Sequence, residues 1–210
     1  MKRREFSLAL GAALLATGQA QAQAQPVESK DFVLVQPPVP VAVPGKIEVI
    51  EFFGYWCPHC KELESALEAW AKKLPATVNF RRIPVAWQAA HVPYQKLYFA
   101  LEALGLAEAM NAKVFNAVQV QRQRLDNDAG IAAFAAANGI DRAKLQDAMN
   151  SFSVSSKIRI ANQVYEAYHL DGVPALIVNG RYRTSPELAR GDERALAVVD
   201  ALILKAKAGR

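Results

Sequence analysis

The chain has 210 residues, of which 52% are hydrophobic and 21% are charged. This length suits one domain with a sizeable core and leaves room for a subdomain. The formal net charge of +5 is too small, and the basic residues are too scattered, to predict nucleic-acid binding.

The first 24 residues predict a cleaved export signal. Three basic residues at 2–4 precede an uncharged apolar run at 6–17, and small residues at 20–24 offer a cleavage site. The apolar run is too short to span a bilayer. An N-terminal anchor or a buried helix is the alternative interpretation.

The next stretches predict an extended lead-in, a buried strand and a helix. Prolines recur between residues 26 and 44, which favours an extended segment or an edge strand. The segment from Lys46 to Phe53 is rich in Val, Ile and Phe, which is typical of a strand buried on both faces. Apolar side chains then recur on one helical face, at Leu63, Ala66, Leu67, Trp70 and Leu74.

The only two cysteines, Cys57 and Cys60, lie where this strand gives way to the helix. Because a helix N-terminus stabilises a thiolate, we expect Cys57 to be the exposed, reactive sulfur and Cys60 to point inward. A metal site needs four ligands, and His59 with the two cysteines supplies three. Haem attachment needs a histidine at position 61, which is lysine. A structural disulfide across two residues would stabilise little, so a redox-active dithiol is favoured.

The tetrad Cys57-Pro58-His59-Cys60, with the aromatic residues before it, resembles the active site of the DsbA family of periplasmic thiol-disulfide oxidases. This resemblance implies an α/β thioredoxin fold, with a central mixed β-sheet flanked by helices and an inserted all-helical subdomain. It also implies catalytic roles for all four residues of the tetrad. His59 would lower the pKa of Cys57, although an ordinary exposed histidine is the alternative.

The resemblance further implies partners and a location. The Cys57–Cys60 disulfide would be donated to folding secreted proteins that carry thiols, and a DsbB-like, quinone-linked membrane oxidase would restore it. We expect a periplasmic monomer that binds no cofactor, metal or nucleic acid. A periplasmic reductase or isomerase, and a peptide-binding chaperone module, remain as alternatives.

Glu51 is an anomaly, because an ionised carboxylate is costly in a buried strand. We predict that it moves a proton to and from Cys60, and a glutamate at this place is similar to the family pattern. A position at the sheet edge is the alternative. Arg82, in a second strand predicted over 77–85, either pairs with Glu51 or is exposed. Glu64 lies four residues after Cys60, on the same face of the helix, and is similar to the family pattern, but a solvated helix residue is the favoured interpretation.

Helical patterns predominate from 87 to 152, which we predict to be an insertion between thioredoxin-like parts at 25–86 and 153–210. An apolar stripe ends at Gly105, and a helix is predicted over 109–120. Two further helices are expected to begin at the capping residues Asp126 or Asn127 and Asp141.

The last part predicts a helix over 155–169, a strand at 175–178, the hairpin turn Asn179-Gly180 and a return strand at 181–183. Asp192 is expected to cap a final helix. The resemblance implies that the peptide bond before Pro174 is cis and lies against the cysteines. Val173 and Trp56 would then bind substrate.

Overall fold

A computed structural model describes residues 25–209, so the predicted export signal at 1–24 lies outside the described residues. Five strands form one mixed sheet in the order β1-β5-β4-β2-β3. Their bounds are Val33–Leu34 for β1, Ile47–Phe53 for β2, Val78–Pro84 for β3, Ala175–Val178 for β4 and Tyr182–Thr184 for β5.

Eight α-helices flank this sheet in the described part of the chain. They are Pro58–Ala71 (α1), Val92–Ala103 (α2), Ala107–Phe115 (α3), Asp128–Ala137 (α4), Arg142–Met149 (α5), Phe152–Ala167 (α6), Pro186–Ala189 (α7) and Asp192–Ala208 (α8). A 3₁₀ turn at Ala89–His91 precedes α2, and a π-helical turn at Asn116–Val120 extends α3. No helix within 25–209 is long and apolar enough to span a bilayer.

The central strand β2 pairs with β3 in parallel and with β4 in antiparallel orientation, and all seven of its residues are buried. Successive side chains of a strand point to opposite faces. Ile47 and Val49 accordingly join the core with α1 and α8, whereas Ile50 and Phe52 join the core with the inserted helices. The prediction of a strand buried on both faces is confirmed, and β2 holds the segment that follows it in a fixed place.

The helical unit enters after β3 and returns to the sheet at β4, as the resemblance implies. Two of its predicted starts are confirmed, because the side chains of Asn127 and Asp141 cap α4 and α5. The region predicted as one helix over 109–120 is instead α3 followed by the π-helical turn.

Three predicted boundaries were wrong. Helix α6 begins at Phe152 and not at 155, because the Ser151 hydroxyl accepts a hydrogen bond from the N–H of Val154, whereas the apolar pattern begins later. Gly191, and not Asp192, caps α8, and Asp192 is its first residue. The return strand β5 begins one residue later than predicted, since Arg181 still belongs to the turn.

The hairpin turn between β4 and β5 offers a test of the packing. Gly180 has a φ of 65°, and a Cβ there would collide with the carbonyl oxygen of Val39. Substitution of Gly180 by alanine should lower the free energy of unfolding by about 3 kcal/mol, from backbone strain and overpacking together. Denaturant unfolding measures this change.

Gly139 is the matched control for that substitution. Its φ is 68°, but a Cβ there would have no atom within 4 Å. Gly139→Ala should therefore cost only about 1 kcal/mol, which is the strain of positive φ alone. Equal losses in the two variants would contradict the predicted collision with Val39.

Candidate active site

The two cysteines lie in the turn that joins β2 to α1. Cys57 is the N-cap of α1, and its sulfur accepts a hydrogen bond from the N–H of Cys60 at 3.4 Å. The N–H of Cys57 itself donates to the carbonyl of Gly54 at 2.9 Å. Pro58 is the first residue of the helix, where its missing N–H leaves no bond unmade. The tetrad thus folds as a helix start with a sulfur in the capping position.

Cys57 is much less exposed than predicted. Its exposed fraction is 4%, against 0% for Cys60, so both cysteines are buried and only a small difference in exposure remains. The reason is the loop before β4, which lies against the active-site turn. The Cys57 thiol donates a hydrogen bond to the carbonyl of Val173 at 3.3 Å, and the Val173-Pro174 peptide bond is cis, as expected.

That contact bears on the predicted role of Val173. A protonated Cys57 occupies the carbonyl of Val173, so the backbone there is not free in the dithiol form. An ionised Cys57 has no proton to donate. Loss of the Cys57 proton therefore releases the Val173 carbonyl for another donor.

The two sulfurs have opposite proton affinities. A hydrogen bond from the Cys60 side chain, followed by the backbone N–H groups of Cys60 and His59 and the charge of His59, lowers the pKa of Cys57 to about 7 against the opposing effect of burial. Burial, and then the interaction with Cys57, raise the pKa of Cys60 well above its ordinary range. Cys57 can therefore be a thiolate near neutral pH while Cys60 keeps its proton.

His59 lies in the first turn of α1, and its side chain is 75% exposed. Its Nδ1 is 2.8 Å from a carboxylate oxygen of Glu62, and this hydrogen bond, together with the charge of Glu62, raises the pKa of His59. Glu62 therefore favours the charged imidazolium. That charge lowers the pKa of Cys57 only modestly, because solvent screens so exposed a group.

A buried ionic cluster lies on β2, β3 and α1. Glu51 and Arg82 are register partners on adjacent strands, and the Arg82 Nε donates to a Glu51 carboxylate oxygen at 3.0 Å. Arg82 also donates from Nη2 to Glu64 at 3.4 Å. The structure therefore confirms that Arg82 pairs with Glu51 and is not an exposed arginine. The prediction of a solvated Glu64 was wrong, because its place one turn after Cys60 is on the buried face of α1, where it is 4% exposed.

Burial raises the pKa of Glu51 from 4.5 to about 8, although Arg82 acts in the opposite direction. The charge of Glu51 in turn contributes to the raised pKa of Cys60. One Glu51 carboxylate oxygen, Oε1, is buried without a hydrogen-bond partner among the described residues. This carboxyl group can therefore gain and lose a proton near neutral pH.

Aromatic residues surround Trp56, which precedes Cys57. The Trp56 ring stacks on His91 at 4.2 Å with an interplanar angle of 13°, and the Trp87 ring lies 4.5 Å away. The Trp56 Nε1 donates to the carbonyl of Val85 at 3.2 Å. His91 lies 35 residues after Trp56 in the chain, and no spacing in the sequence indicates this contact.

Two further contacts of the inserted unit were missed. The Gln119 side chain donates to the backbone carbonyls of both Tyr55 and Cys57, and the side-chain amide oxygen Oδ1 of Asn111 accepts from the Tyr55 hydroxyl at 2.6 Å. A second buried glutamate, Glu48, also escaped notice. Its partner Arg81 lies one residue before Arg82 on β3. The sequence of β2, IEVIEFF, has two glutamates in an otherwise apolar strand, and this pattern could have identified both buried acids.

A groove of about 810 Å³ begins beside the cysteines and passes along α7. His59, Val173 and Pro174 line the end nearest Cys57, while Arg183 and Glu187 line the polar part. The groove is large enough for an extended peptide segment. Within the described residues, no group of three or more His, Cys, Asp or Glu side chains is placed to hold a metal ion.

Comparisons with known proteins agree with this geometry. A family model described as a DSBA-like thioredoxin domain matches residues 72–202, and a thioredoxin model matches residues 40–95. The thiol:disulfide interchange protein DsbA of Bordetella pertussis is 44% identical over 200 residues, which is 95% of this chain and 93% of the relative. The namesake from Burkholderia cepacia is 41% identical, over 90% of each chain.

Solved structures agree as well. The crystal structure of Pseudomonas aeruginosa DsbA superposes with a TM-score of 0.84 at 35% sequence identity, covering 88% of this chain and 96% of that one. The DsbA of Xylella fastidiosa superposes with a TM-score of 0.80 at 28% identity, covering 87% of this chain and 98% of that one. The likeness therefore includes the sheet, the insertion and the active-site turn together.

The raised pKa of Glu51 predicts how stability depends on pH. The folded state holds this proton up to about pH 8, whereas the unfolded chain releases it above its ordinary pKa of 4.5. The folded state binds more protons in this window, so the contribution of Glu51 to stability falls as pH rises through it. Glu51→Gln should remove that fall. The free energy of unfolding of the variant minus that of the wild type should therefore increase from pH 4.5 to pH 8.

Denaturant unfolding of the reduced protein across this window measures the effect. Glu166→Gln is the control, since Glu166 is exposed on α6. A Glu51→Gln variant whose stability changes with pH in parallel with the wild type would show that Glu51 is ionised throughout.

Proposed function

Because the chain belongs to the DsbA family of thioredoxin-fold thiol:disulfide oxidoreductases, we propose that it donates the Cys57–Cys60 disulfide to secreted proteins as they fold. The observation that supports this direction of transfer most is the N-cap position of Cys57. The helix start stabilises the thiolate that forms when the disulfide is reduced. A stabilised reduced form makes the oxidised form a better disulfide donor.

The exchange takes two steps. A substrate thiolate attacks the Cys57 sulfur, forms a mixed disulfide and expels Cys60, which takes up a proton. A second substrate thiolate then attacks the substrate sulfur of the mixed disulfide and expels Cys57 as a thiolate. The substrate gains a disulfide and loses two electrons, and the Cys57–Cys60 pair gains them.

Glu51 is the proton donor that we propose for Cys60. Its carboxyl group is buried, electrostatically coupled to both cysteines and protonated up to about pH 8. Arg82 and Glu64 complete the cluster and hold Glu51 in place. Once Cys60 is protonated, Glu51 recovers a proton from solvent, and when the disulfide forms again the ionised form of Glu51 accepts the proton that Cys60 releases.

Substrate binding is assigned to the surfaces that surround Cys57. The Val173 carbonyl is free when Cys57 is in the disulfide and carries no thiol proton, and it then accepts a hydrogen bond from an extended substrate backbone. Pro174 keeps the loop against the sulfur, and the groove along α7 accommodates the residues beside the substrate cysteine. Trp56, next to Cys57, and Trp87, whose ring lies against that of Trp56, offer apolar contact.

The cycle also needs an oxidant and a compartment. Members of the DsbA family are periplasmic and are reoxidised by a membrane partner. We propose that a DsbB-like, quinone-linked oxidase is that partner, and that the segment at 1–24 is the cleaved signal for export. We also propose that residues 87–152 form the inserted subdomain between the two thioredoxin-like parts.

The equilibrium of the Cys57–Cys60 pair with glutathione tests the proposed function. At pH 7 we expect the protein to be reduced by glutathione, with a potential well above that of the glutathione couple. Since the pKa of Cys57 is about 7, reduction takes up two protons below this pH and one above it. The potential should therefore fall by about 59 mV per pH unit below pH 7 and by about 30 mV above it.

A strongly reducing potential would contradict the oxidase and favour the reductase. A cysteine variant distinguishes the oxidase from a third possibility, a peptide-binding module whose cysteines take no part in its activity. Cys57→Ser should abolish oxidation of a reduced, unfolded protein while leaving peptide binding in the groove intact. Oxidation that persists in this variant would show that Cys57 does not perform the exchange.

His59 carries a separate prediction. His59→Ala removes the imidazolium near the sulfur, so the pKa of Cys57 should rise by about half a unit, a small shift because His59 is exposed. The potential above pH 7 should fall accordingly. Lys73→Ala, which removes a cation just after α1, is the control and should change neither quantity. A His59→Ala variant with an unchanged potential would exclude a role for His59.

A further inference from the structure

Gln119 of the inserted unit contacts the backbone of the active-site turn. Its Nε2 lies 2.8 Å from the carbonyl oxygen of Tyr55 and 2.8 Å from that of Cys57, and its amide donates to both. These two carbonyls flank Trp56. The residues that Gln119 joins are 62 and 64 positions away in the chain, so the contact depends on how the insertion packs against the sheet.

The π-helical turn brings Gln119 to this position. The N–H of Gln121 donates to the carbonyl of Asn116 at 2.9 Å, which is the five-residue spacing of a π-helix. Such a turn contains one residue more than a turn of an α-helix. Successive side chains of a helix are about 100° apart around its axis, so one extra residue changes the direction of the side chains that follow it. A regular continuation of α3 would therefore direct position 119 to another side of the helix.

The same segment contacts the turn a second time, through a side chain. The Tyr55 hydroxyl donates to the side-chain amide oxygen Oδ1 of Asn111 at 2.6 Å, and Tyr55 is fully buried. The insertion thus binds Tyr55 through its ring and its backbone, and binds Cys57 through its backbone. The turn has little freedom left at the residues just before α1.

We propose that Gln119 is a positioning residue that fixes Cys57 at the start of α1 for disulfide exchange. This inference rests on the proposed function and assigns part of it to the inserted unit. The amide holds the peptide groups on both sides of Trp56, and so determines where the Cys57 sulfur meets the N–H groups of the helix. It also offsets the negative partial charge of two carbonyl oxygens close to the thiolate.

Two substitutions test the proposal. Gln119→Glu replaces the donor by an ionised carboxylate of the same shape, and Gln119→Met removes the donor without adding charge. The pKa of Cys57, measured from the ultraviolet absorbance of its thiolate, should rise by about one unit in the Glu variant and by less in the Met variant. Well above both pKa values, a rise of one unit moves the glutathione equilibrium about tenfold toward the oxidised protein.

Gln123→Glu is the matched control. Gln123 lies four residues further on, and its exposed side chain donates to the side chain of Gln121 and not to the active-site turn. The same charge placed there should leave the pKa of Cys57 unchanged. Circular dichroism confirms folding, and the Met variant decides the question if the Glu variant does not fold.

A folded Gln119→Met variant with the wild-type pKa of Cys57 would overturn the proposal, as would equal shifts in Gln119→Glu and Gln123→Glu. The pKa comparison does not depend on which way the wild-type protein transfers electrons. A reducing wild-type potential would therefore refute the proposed oxidase without deciding the role of Gln119.

Discussion

The hydrogen bond from the N–H of Cys60 to the sulfur of Cys57 is the interaction on which the site depends. A sulfur caps a helix poorly as a thiol and well as a thiolate, so the start of α1 is most stable when the site has accepted electrons. The rest of the structure keeps that helix start in place. The buried strand β2 anchors the turn from below, the loop at Pro174 lies against it, and the inserted unit binds its backbone through Gln119.

Stabilising one sulfur as an anion has a counterpart in the protein interior. Cys60 is fully buried and keeps its proton, and the charge of Glu51, which belongs to a buried cluster of two glutamates and one arginine, helps to raise its pKa. A single arginine cannot neutralise two buried carboxylates, so a proton shared within the cluster balances the charge. Burial, and then the charge of Glu64, raise the pKa of Glu51 against the opposing effect of Arg82. We propose that electron transfer at Cys57 and proton transfer from Glu51 are linked in this way within one strand and one helix.

Local patterns predicted the parts of the site that are continuous in sequence. The apolar run before the cysteines and the proline after Cys57 each specify a backbone conformation by themselves, whereas the cis bond between Val173 and Pro174 was expected only from the family resemblance. The rest could not be predicted, because it depends on contacts between distant segments. The spacing places Glu64 on the Cys60 face of α1 but does not show that Glu64 pairs with Arg82 of β3, and no pattern places His91 against Trp56. The burial of Cys57 was missed for the same reason, since its cover comes from a loop 116 residues away.

The position of β4 has a consequence for the order in which the protein can be assembled. This strand is the neighbour of β2 in the middle of the sheet, yet it begins at Ala175, after the whole helical insertion. The sheet is therefore completed, and the cysteines are covered, only when roughly the last sixth of the chain has been synthesised. The contacts that complete it join residues far apart in sequence, and such contacts form slowly. Until then both thiols belong to an open chain. The cysteine pair that oxidises other newly made chains is therefore among the last parts of this protein to reach its folded surroundings.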